Sequence, residues 1–153
     1  AVQTRKRVDC GLVSWFVEGV FLYCELPSGR RLAYPFPSVS MQETSWGSEK
    51  LTLSFMTVNP KTRQWVRQKT YGGMIVENIT QAVARDLIAA ALMRLRASKK
   101  YLPTLSVHDE ALAECKIGEG DVKEFEHLVA EIPDWAEGLP VAAEAWCGPR
   151  YRK

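Results

Sequence analysis

The sequence predicts an α+β fold in which an antiparallel sheet with hairpins is backed by one long and one shorter helix. Runs rich in Val, Phe, Trp and Tyr, residue types that favour strands, are separated by turn-forming residues. Two other stretches repeat apolar residues at helical spacing. Strands and helices do not alternate regularly, which argues against a parallel sheet and for an α+β layer.

The first half of the chain is predicted to be mostly strand. After residues 1–11, expected to be a loose N-terminal segment, two β-prone runs flank Pro27-Ser28-Gly29 and predict a hairpin. The polar residues 38–50 predict a loop. Residues 51–58 alternate apolar and polar side chains, as a half-buried strand does, and residues 64–70 can return antiparallel to them.

Two helices are predicted in the second half. Residues 74–97 place apolar side chains three or four positions apart without Pro or Gly, which predicts a helix of about six turns. A second apolar stripe follows Asp121, which is well placed as an N-cap, and Pro133 is expected to stop that helix.

The remaining strands of this half surround a short acidic turn. Residues 105–107 and 111–116 predict a hairpin with its turn near Asp109. Residues 139–146 predict a final strand, and a basic tail, residues 150–153, follows it.

Composition describes one ordinary globular unit spanning residues 1–153. Twenty Lys and Arg against eighteen Asp and Glu give a net charge of +2, so any nucleic-acid contact would have to be local. No apolar run is long enough to span a membrane, and the start resembles no secretory signal. The four cysteines lie far apart without a C-x-x-C pair, which argues against a zinc ribbon or a disulfide scaffold and favours the cytoplasm.

The turn at Val107-His108-Asp109-Glu110 is the first candidate for chemistry. Two adjacent carboxylates at a hairpin tip suit a hard divalent cation such as Mg²⁺, which is usually held by one or two carboxylates plus substrate phosphates. The alternative is a solvated acidic turn, because Asp favours turns in any protein.

A polar stripe on the long helix is the second candidate. At 100° per residue, Glu77, Asn78, Gln81 and Arg85 fall on about a quarter of the helix circumference. Such side chains can hold a DNA duplex through minor-groove acceptors common to every base pair. An ordinary wet face of an amphipathic helix is the alternative.

Three ordered segments together resemble the C-terminal palm of a family A, polymerase I-like DNA polymerase, in its phage or prophage branch. They are Thr70-Tyr71-Gly72-Gly73, then residues 77–86, then Val107-His108-Asp109-Glu110. The turn at residues 26–30 and the ending at residues 146–153 are similar to that branch as well. The resemblance covers most of the chain from about Leu22 onward.

The resemblance implies roles for individual residues. Asp109 would bind the catalytic Mg²⁺ ions, and Glu110 would be its acidic neighbour with a lesser, partly structural role. His108 would lie near the backbone of the primer terminus, and Gln81 would contact the minor groove there. The reaction would be attack of a primer 3′-hydroxyl on the α-phosphate of a deoxynucleoside triphosphate by a two-metal mechanism.

The chain also departs from the family pattern. The family has an Asn four residues before this Gln, where Glu77 stands here, and Asn78 comes one residue late. Many members of the family also have an Arg that contacts DNA. The corresponding position in this chain falls near Gly73.

A second metal-binding Asp, the nucleotide-binding fingers helix and the thumb are all absent from these 153 residues. The resemblance therefore implies the C-terminal fragment of a longer polymerase, inactive by itself, whose primer–template DNA and nucleotides bind the full-length enzyme. A non-catalytic palm-derived module that binds DNA or a protein is the alternative. A third possibility is an unrelated α+β protein with a fortuitous acidic turn.

Overall fold

The computed structural model describes residues 1–43, 47 and 49–151, and the α+β class with antiparallel pairing and two helices is confirmed. The chain divides into two compact units, Ala1–Gln81 and Ala82–Lys153. The bounds, in chain order, are β1 Val8–Cys10, β2 Val13–Glu18, β3 Phe21–Glu25, β4 Arg31–Pro35, β5 Ser38–Glu43, β6 Glu49–Val58, β7 Trp65–Thr70, α1 Gly72–Ala97, β8 Leu102–Val107, β9 Glu110–Glu114 and α2 Val122–Ala130.

The first unit contains a four-stranded antiparallel sheet in the order β1-β2-β3-β4. The predicted hairpin around Pro27-Ser28-Gly29 is confirmed as β3 and β4, with Leu22 opposite Tyr34. Alternate residues of β3 point inward, so Leu22 and Cys24 are buried. Within residues 1–11, which were expected to be a loose N-terminal segment, β1 pairs with β2. The prediction that residues 1–153 form one structural unit with a loose N-terminal segment stays a prediction.

A second antiparallel sheet, in the order β5-β6-β7, completes the strands of this unit. The strand predicted at residues 51–58 and its antiparallel return are confirmed as β6 and β7. The buried Tyr34 ring meets the edge of Phe55 of β6 at a centroid distance of 5.0 Å. Aromatic edge contacts of this kind add to the stability that burial provides.

The loop predicted at residues 38–50 is wrong at residues 38–43 and at residues 49–50, which begin β6. Residues 38–43 form β5, in which Val39 pairs with Leu53 and Met41 with Leu51. Apolar residues at alternate positions supply cross-strand partners, and backbone pairing is indifferent to the intervening Ser and Gln. Residues 44–46 and 48, which the same prediction included, lie outside the described residues.

The long helix is confirmed but begins at Gly72, two residues earlier than the predicted Met74, and ends at Ala97 as predicted. Its first backbone bond runs from the Ile75 N–H to the Tyr71 carbonyl at 3.1 Å. Ala82, Ala91 and Leu95 are the buried residues of the helix.

In the second unit, β8 and β9 form the predicted hairpin.

Both ends of α2 in this unit form hydrogen bonds with side chains. At the start of α2, Asp121 is the predicted N-cap and accepts from the Glu124 N–H at 3.0 Å, while the buried Tyr101 hydroxyl accepts from the Asp121 N–H at 3.1 Å. At its end, Arg94 donates to the carbonyls of Leu128 at 2.9 Å and Glu131 at 2.6 Å. The helix ends at Ala130, ahead of Pro133 as predicted.

The strand predicted at residues 139–146 is wrong. After a single 3₁₀ turn at Asp134–Ala136, residues 139–146 run without regular structure. A segment with apolar residues forms a strand only when a neighbouring strand pairs with its backbone N–H and C=O groups. Within the described chain, residues 139–146 join no sheet, and the Ala145 N–H is bound instead by the Glu126 carboxylate at 2.9 Å. Neither helix of the described residues is both long and apolar enough to cross a membrane.

Candidate functional site

The acidic hairpin tip is a two-residue turn between β8 and β9. Val107 pairs with Glu110, which leaves His108 and Asp109 as the two turn residues. His108 has a φ of 52°, the left-handed region, which a residue other than Gly adopts at a cost in conformational energy. His108 and Asp109 are exposed, and Asp109 forms no hydrogen bond or ion pair with the described part of the chain. The turn therefore presents the Asp109 carboxylate to solvent with all its acceptor positions open.

Glu110 is held differently from Asp109. It is half-buried, and its Oε2 accepts a hydrogen bond from the Tyr151 hydroxyl at 2.7 Å. This bond, followed by desolvation and the negative charge of Glu110, raises the pKa of Tyr151, so the phenol remains a donor at neutral pH. Glu110 is thereby oriented by the C-terminal segment and has one carboxylate oxygen left for another ligand.

The carboxylate oxygens at the hairpin tip are of the type that binds a hard divalent cation. They are too few to complete the coordination of such an ion. Carboxylate oxygens are the ligands that Mg²⁺ prefers, and two adjacent ones come from Asp109 and Glu110. In residues 1–43, 47 and 49–151 no group of three or more His, Cys, Asp or Glu side chains is arranged to hold a metal. Two carboxylates suit an ion that shares its remaining positions with water and a phosphate-bearing substrate.

The polar stripe on α1 is exposed in part. Gln81 and Arg85 are exposed, and the Gln81 amide donates to the Glu77 carboxylate at 3.2 Å. Arg85 forms no hydrogen bond or ion pair with any residue that the structure describes. Gln81 and Arg85, four residues apart on one helix, therefore present their polar groups on the same face.

Asn78 is placed differently from the other residues of the stripe. It is half-buried, and its side-chain amide lies near the hydroxyl of Tyr34. Burial raises the pKa of Tyr34, and the Asn78 amide opposes that rise. The Tyr34 hydroxyl nevertheless completes no hydrogen bond of ordinary geometry with the described residues. The half-buried Asn78 amide is therefore directed toward Tyr34 within the first unit.

The contact between Tyr151 and the hairpin was not predicted from the sequence. Tyr151 lies 41 residues from Glu110 along the chain, and no periodicity or motif joins the two positions. The other two residues of the basic tail, Arg152 and Lys153, lie outside the described residues.

Within the part of the chain that the structure describes, His127 and the four cysteines belong to no cluster that could hold a metal ion. His127 is exposed on α2. All four cysteines are free thiols, and burial raises the pKa of Cys24 to about 11. A thiol with a raised pKa is a poor nucleophile at neutral pH.

Comparison with known proteins gives one informative similarity. The chain is 40% identical, over 155 aligned residues that cover all of it, to the DNA polymerase of Bacillus phage SP02. It spans 23% of the length of that protein. No protein-family model matches the chain, and no solved structure matches it significantly. The chain is thus similar, from end to end, to one region of a phage DNA polymerase.

Proposed function

We propose that this chain is the C-terminal palm portion of a family A DNA polymerase of the phage or prophage branch. The observation that carries the proposal is the 40% identity to a phage DNA polymerase along the entire chain. An exposed Asp109 at the tip of a hairpin supports it, because a metal-binding carboxylate has to be accessible to a nucleotide and a primer end. The parent enzyme would catalyse template-directed nucleotidyl transfer to a primer 3′-hydroxyl.

In this proposal Asp109 and Glu110 hold the metal, and Mg²⁺ is the ion that their oxygen ligands suit. When bound, the ion supplies positive charge at the oxygens between which the nucleotidyl group is transferred. Asp109 contributes its unpartnered carboxylate, and Glu110, oriented by Tyr151, contributes its free oxygen. His108 is proposed to lie near the backbone of the primer terminus, next to Asp109 in the same turn.

DNA binding is assigned to the exposed face of α1. Gln81 is proposed to contact minor-groove acceptors at the primer terminus, and Arg85 to contact the groove edge or a phosphate. Asn78 is also proposed to bind DNA. Its half-buried amide lies near the Tyr34 hydroxyl and has to move away from it to reach a duplex.

The isolated chain is proposed to be inactive. Its two adjacent carboxylates cannot complete a two-metal site, and the motifs that bind the incoming nucleotide do not occur in its sequence. Other segments of a longer polymerase, comprising the N-terminal palm, fingers and thumb, would supply the second Asp and the triphosphate site. A cytoplasmic location belongs to the same proposal.

A chimeric polymerase tests the proposal. The segment of the Bacillus phage SP02 DNA polymerase that matches this chain is replaced by the chain itself, and primer extension with Mg²⁺ is measured. We expect the chimera to extend primers and Asp109→Asn to lower kcat by at least about a thousandfold, since a lost metal ligand removes several kcal/mol of transition-state stabilisation.

Lys61→Gln is the control, because Lys61 is an exposed turn residue of the first unit and lies outside the hairpin and the helix stripe. It should leave kcat unchanged. A chimera that folds, binds primer–template DNA and extends primers equally well with Asp109→Asn would contradict the role of Asp109. A chimera that binds DNA without any extension would favour the alternative of a non-catalytic DNA-binding module. Extension by the isolated 153-residue chain would overturn its proposed inactivity.

A further inference from the structure

One face of the β5-β6-β7 sheet gathers three cationic side chains. Alternate residues of a strand lie on opposite faces of a sheet, and residues directly opposite each other on paired strands lie on the same face. Lys69 lies opposite Ser54, and Lys50 is four residues before Ser54 on β6, so the two lysines share a face. Arg67, two residues before Lys69 on β7, lies on that face as well. The side of the sheet that carries Lys50, Arg67 and Lys69 is called the basic face below.

No acidic side chain of β5, β6 or β7 lies on the basic face. The acidic residues of these strands are Glu43 and Glu49, which pair with each other on the opposite face. The remaining positions of the basic face are Ser, Thr, Gln, Met, Val and Trp residues. Three cations on one side of a small sheet exceed the net charge of the whole chain, +2, so positive charge is concentrated here.

The three cations are not neutralised by other side chains. Lys50, Arg67 and Lys69 are exposed and form no ion pair within residues 1–43, 47 and 49–151. Lys69 donates to the neutral side-chain oxygen of Gln42 at 2.5 Å. Arg67 donates to the Ser54 hydroxyl at 3.3 Å. These neutral acceptors orient the two cations and leave their charge available to an anionic partner.

The β1-β2-β3-β4 sheet of the same unit shows the opposite arrangement. Arg7 and Arg31 both donate to the Glu25 carboxylate, at 2.5 and 3.0 Å. Their guanidinium groups also lie over the ring of Phe16. The cations of that sheet are therefore paired within the protein, whereas those of the basic face are not.

Trp65 adds an aromatic surface to the basic face. It lies opposite Val58 and two residues before Arg67, which places its ring on the same side of the sheet. The residue is 53% exposed and stacks on no other ring among the described residues. Because β7 is an edge strand, Trp65, Arg67 and Lys69 form a row along the sheet edge at intervals of about 7 Å.

We propose that the basic face binds a single strand of nucleic acid. Lys50, Arg67 and Lys69 contact successive phosphates, and Trp65 stacks on an unpaired base, the combination by which sheet surfaces hold single strands without reading their sequence. Charge complementarity identifies the partner as a polyanion, and the exposed ring favours a single strand over a duplex, whose bases are already stacked on each other. The surface uses none of the residues that the proposed polymerase chemistry assigns to metal or minor-groove binding, so it stands whether or not that chemistry is correct.

Fluorescence anisotropy of a labelled oligothymidylate of about 16 nucleotides, titrated with the 153-residue chain, tests the proposal. This probe forms no duplex and offers no minor groove to the polar stripe of α1. We expect saturable binding that weakens as the salt concentration rises from about 50 to about 200 mM. Each phosphate contact to a single strand contributes about −0.7 to the slope of log K against log salt, so three contacts predict a slope of about −2.

Lys69→Gln and Gln68→Glu form a matched pair of variants. Both lower the net charge by one, at adjacent exposed residues of β7 that lie on opposite faces of the sheet. Lys69→Gln should weaken binding about fivefold or more and make the slope shallower by about 0.7. Gln68→Glu should change affinity less than about twofold and leave the slope unchanged. Lys50→Gln, on β6, should repeat the result of Lys69→Gln.

Trp65→Leu separates stacking from charge. Leucine keeps an apolar side chain at this position but has no ring on which a base can stack. We expect affinity for the oligothymidylate to fall about fivefold or more, with the salt slope unchanged, because no phosphate contact is lost. Circular dichroism of each variant shows whether it is folded.

Four results would overturn the proposal. They are the absence of saturable binding, equal losses in Lys69→Gln and Gln68→Glu, unchanged affinity in Trp65→Leu, and tighter binding of a duplex of the same length than of the single strand. Loss of binding in Arg85→Gln together with unchanged binding in Lys69→Gln would assign the single strand to α1 instead. Failure of primer extension in the chimera would leave these readings unaffected, because none of them depends on nucleotide incorporation.

Discussion

His108 combines two properties in one residue: its imidazole belongs to the acidic hairpin tip, and its backbone adopts a positive φ of 52°. His, Asn and Asp enter this region more often than other residues apart from Gly, whereas β-branched residues do so only under strain. The turn between Val107 and Glu110 is only two residues long, so the positive φ cannot easily be moved to a neighbour. The identity of residue 108 therefore affects stability through the backbone, independently of any role of its ring.

Two substitutions separate these effects, because both remove the imidazole. We expect His108→Asn to change the free energy of unfolding by less than about 0.5 kcal/mol, and His108→Val to lower it by about 1–2 kcal/mol. Urea denaturation at pH 7, followed by tryptophan fluorescence, measures both. Equal losses in the two variants would show that the ring, rather than the backbone, stabilises the hairpin.

At the scale of secondary-structure elements, α1 is anchored mainly through its small and branched apolar residues. Leu95 is 0% exposed and Ala91 is 1% exposed, whereas Met93, on the opposite face, is 67% exposed. Ala91 and Leu95 are four residues apart, the spacing at which side chains share one face of a helix.

Leu95→Ala should lower the free energy of unfolding by about 2–5 kcal/mol, because it removes buried methyl groups and leaves a cavity. Met93→Ala, on the same helix, should change it by no more than about 0.5 kcal/mol. Chemical denaturation of both variants gives the comparison. Similar losses in the two would mean that α1 is packed on a different face from the one described.

Elements with their own periodicity could be predicted from the sequence, whereas elements that depend on a partner could not. The long helix and the hairpin at Asp109 carry local signals, namely apolar spacing and turn residues. β5 looks polar, and its strand character comes from pairing with β6. Residues 139–146, predicted as a strand, join no sheet in the described chain.

The same reasoning applies to the candidate site. The exposure of Asp109 follows from its place at a turn. The contact between Tyr151 and Glu110, and the position of Asn78 beside Tyr34, depend on tertiary packing that no local pattern encodes.

At the scale of the whole molecule, both compact units contain carboxylates whose pKa is lowered by hydrogen bonds. In the first unit the Arg7 guanidinium holds the pKa of Glu25 below its usual value, with Arg31 as the second cause. In the second unit the N–H of Glu124 lowers the pKa of Asp121, and Lys100 lowers that of Glu124. The complete set is Asp9, Glu25, Asp121, Glu124 and Glu126.

Acid should therefore destabilise the protein. A carboxyl group with a lowered pKa in the folded state contributes stability that is fully present above its unfolded value, near pH 4, and is lost as the pH falls through the folded value. We expect the free energy of unfolding, measured by urea denaturation, to decrease between pH 6 and pH 3. Glu124→Gln should be less stable at pH 6 and should lose less on acidification. A flat or rising profile toward acid would contradict this expectation.

Helix α2 has nine residues, too few for a stable isolated helix in water. Asp121 and Tyr101 hold its first turn, and Arg94, from a different helix, holds its last carbonyls. Fraying from either end therefore requires breaking bonds that belong to neighbouring elements. Its amides should accordingly exchange with deuterium in step with the elements that hold it, and a short helix that would melt first on its own becomes one of the slower-exchanging parts of its unit.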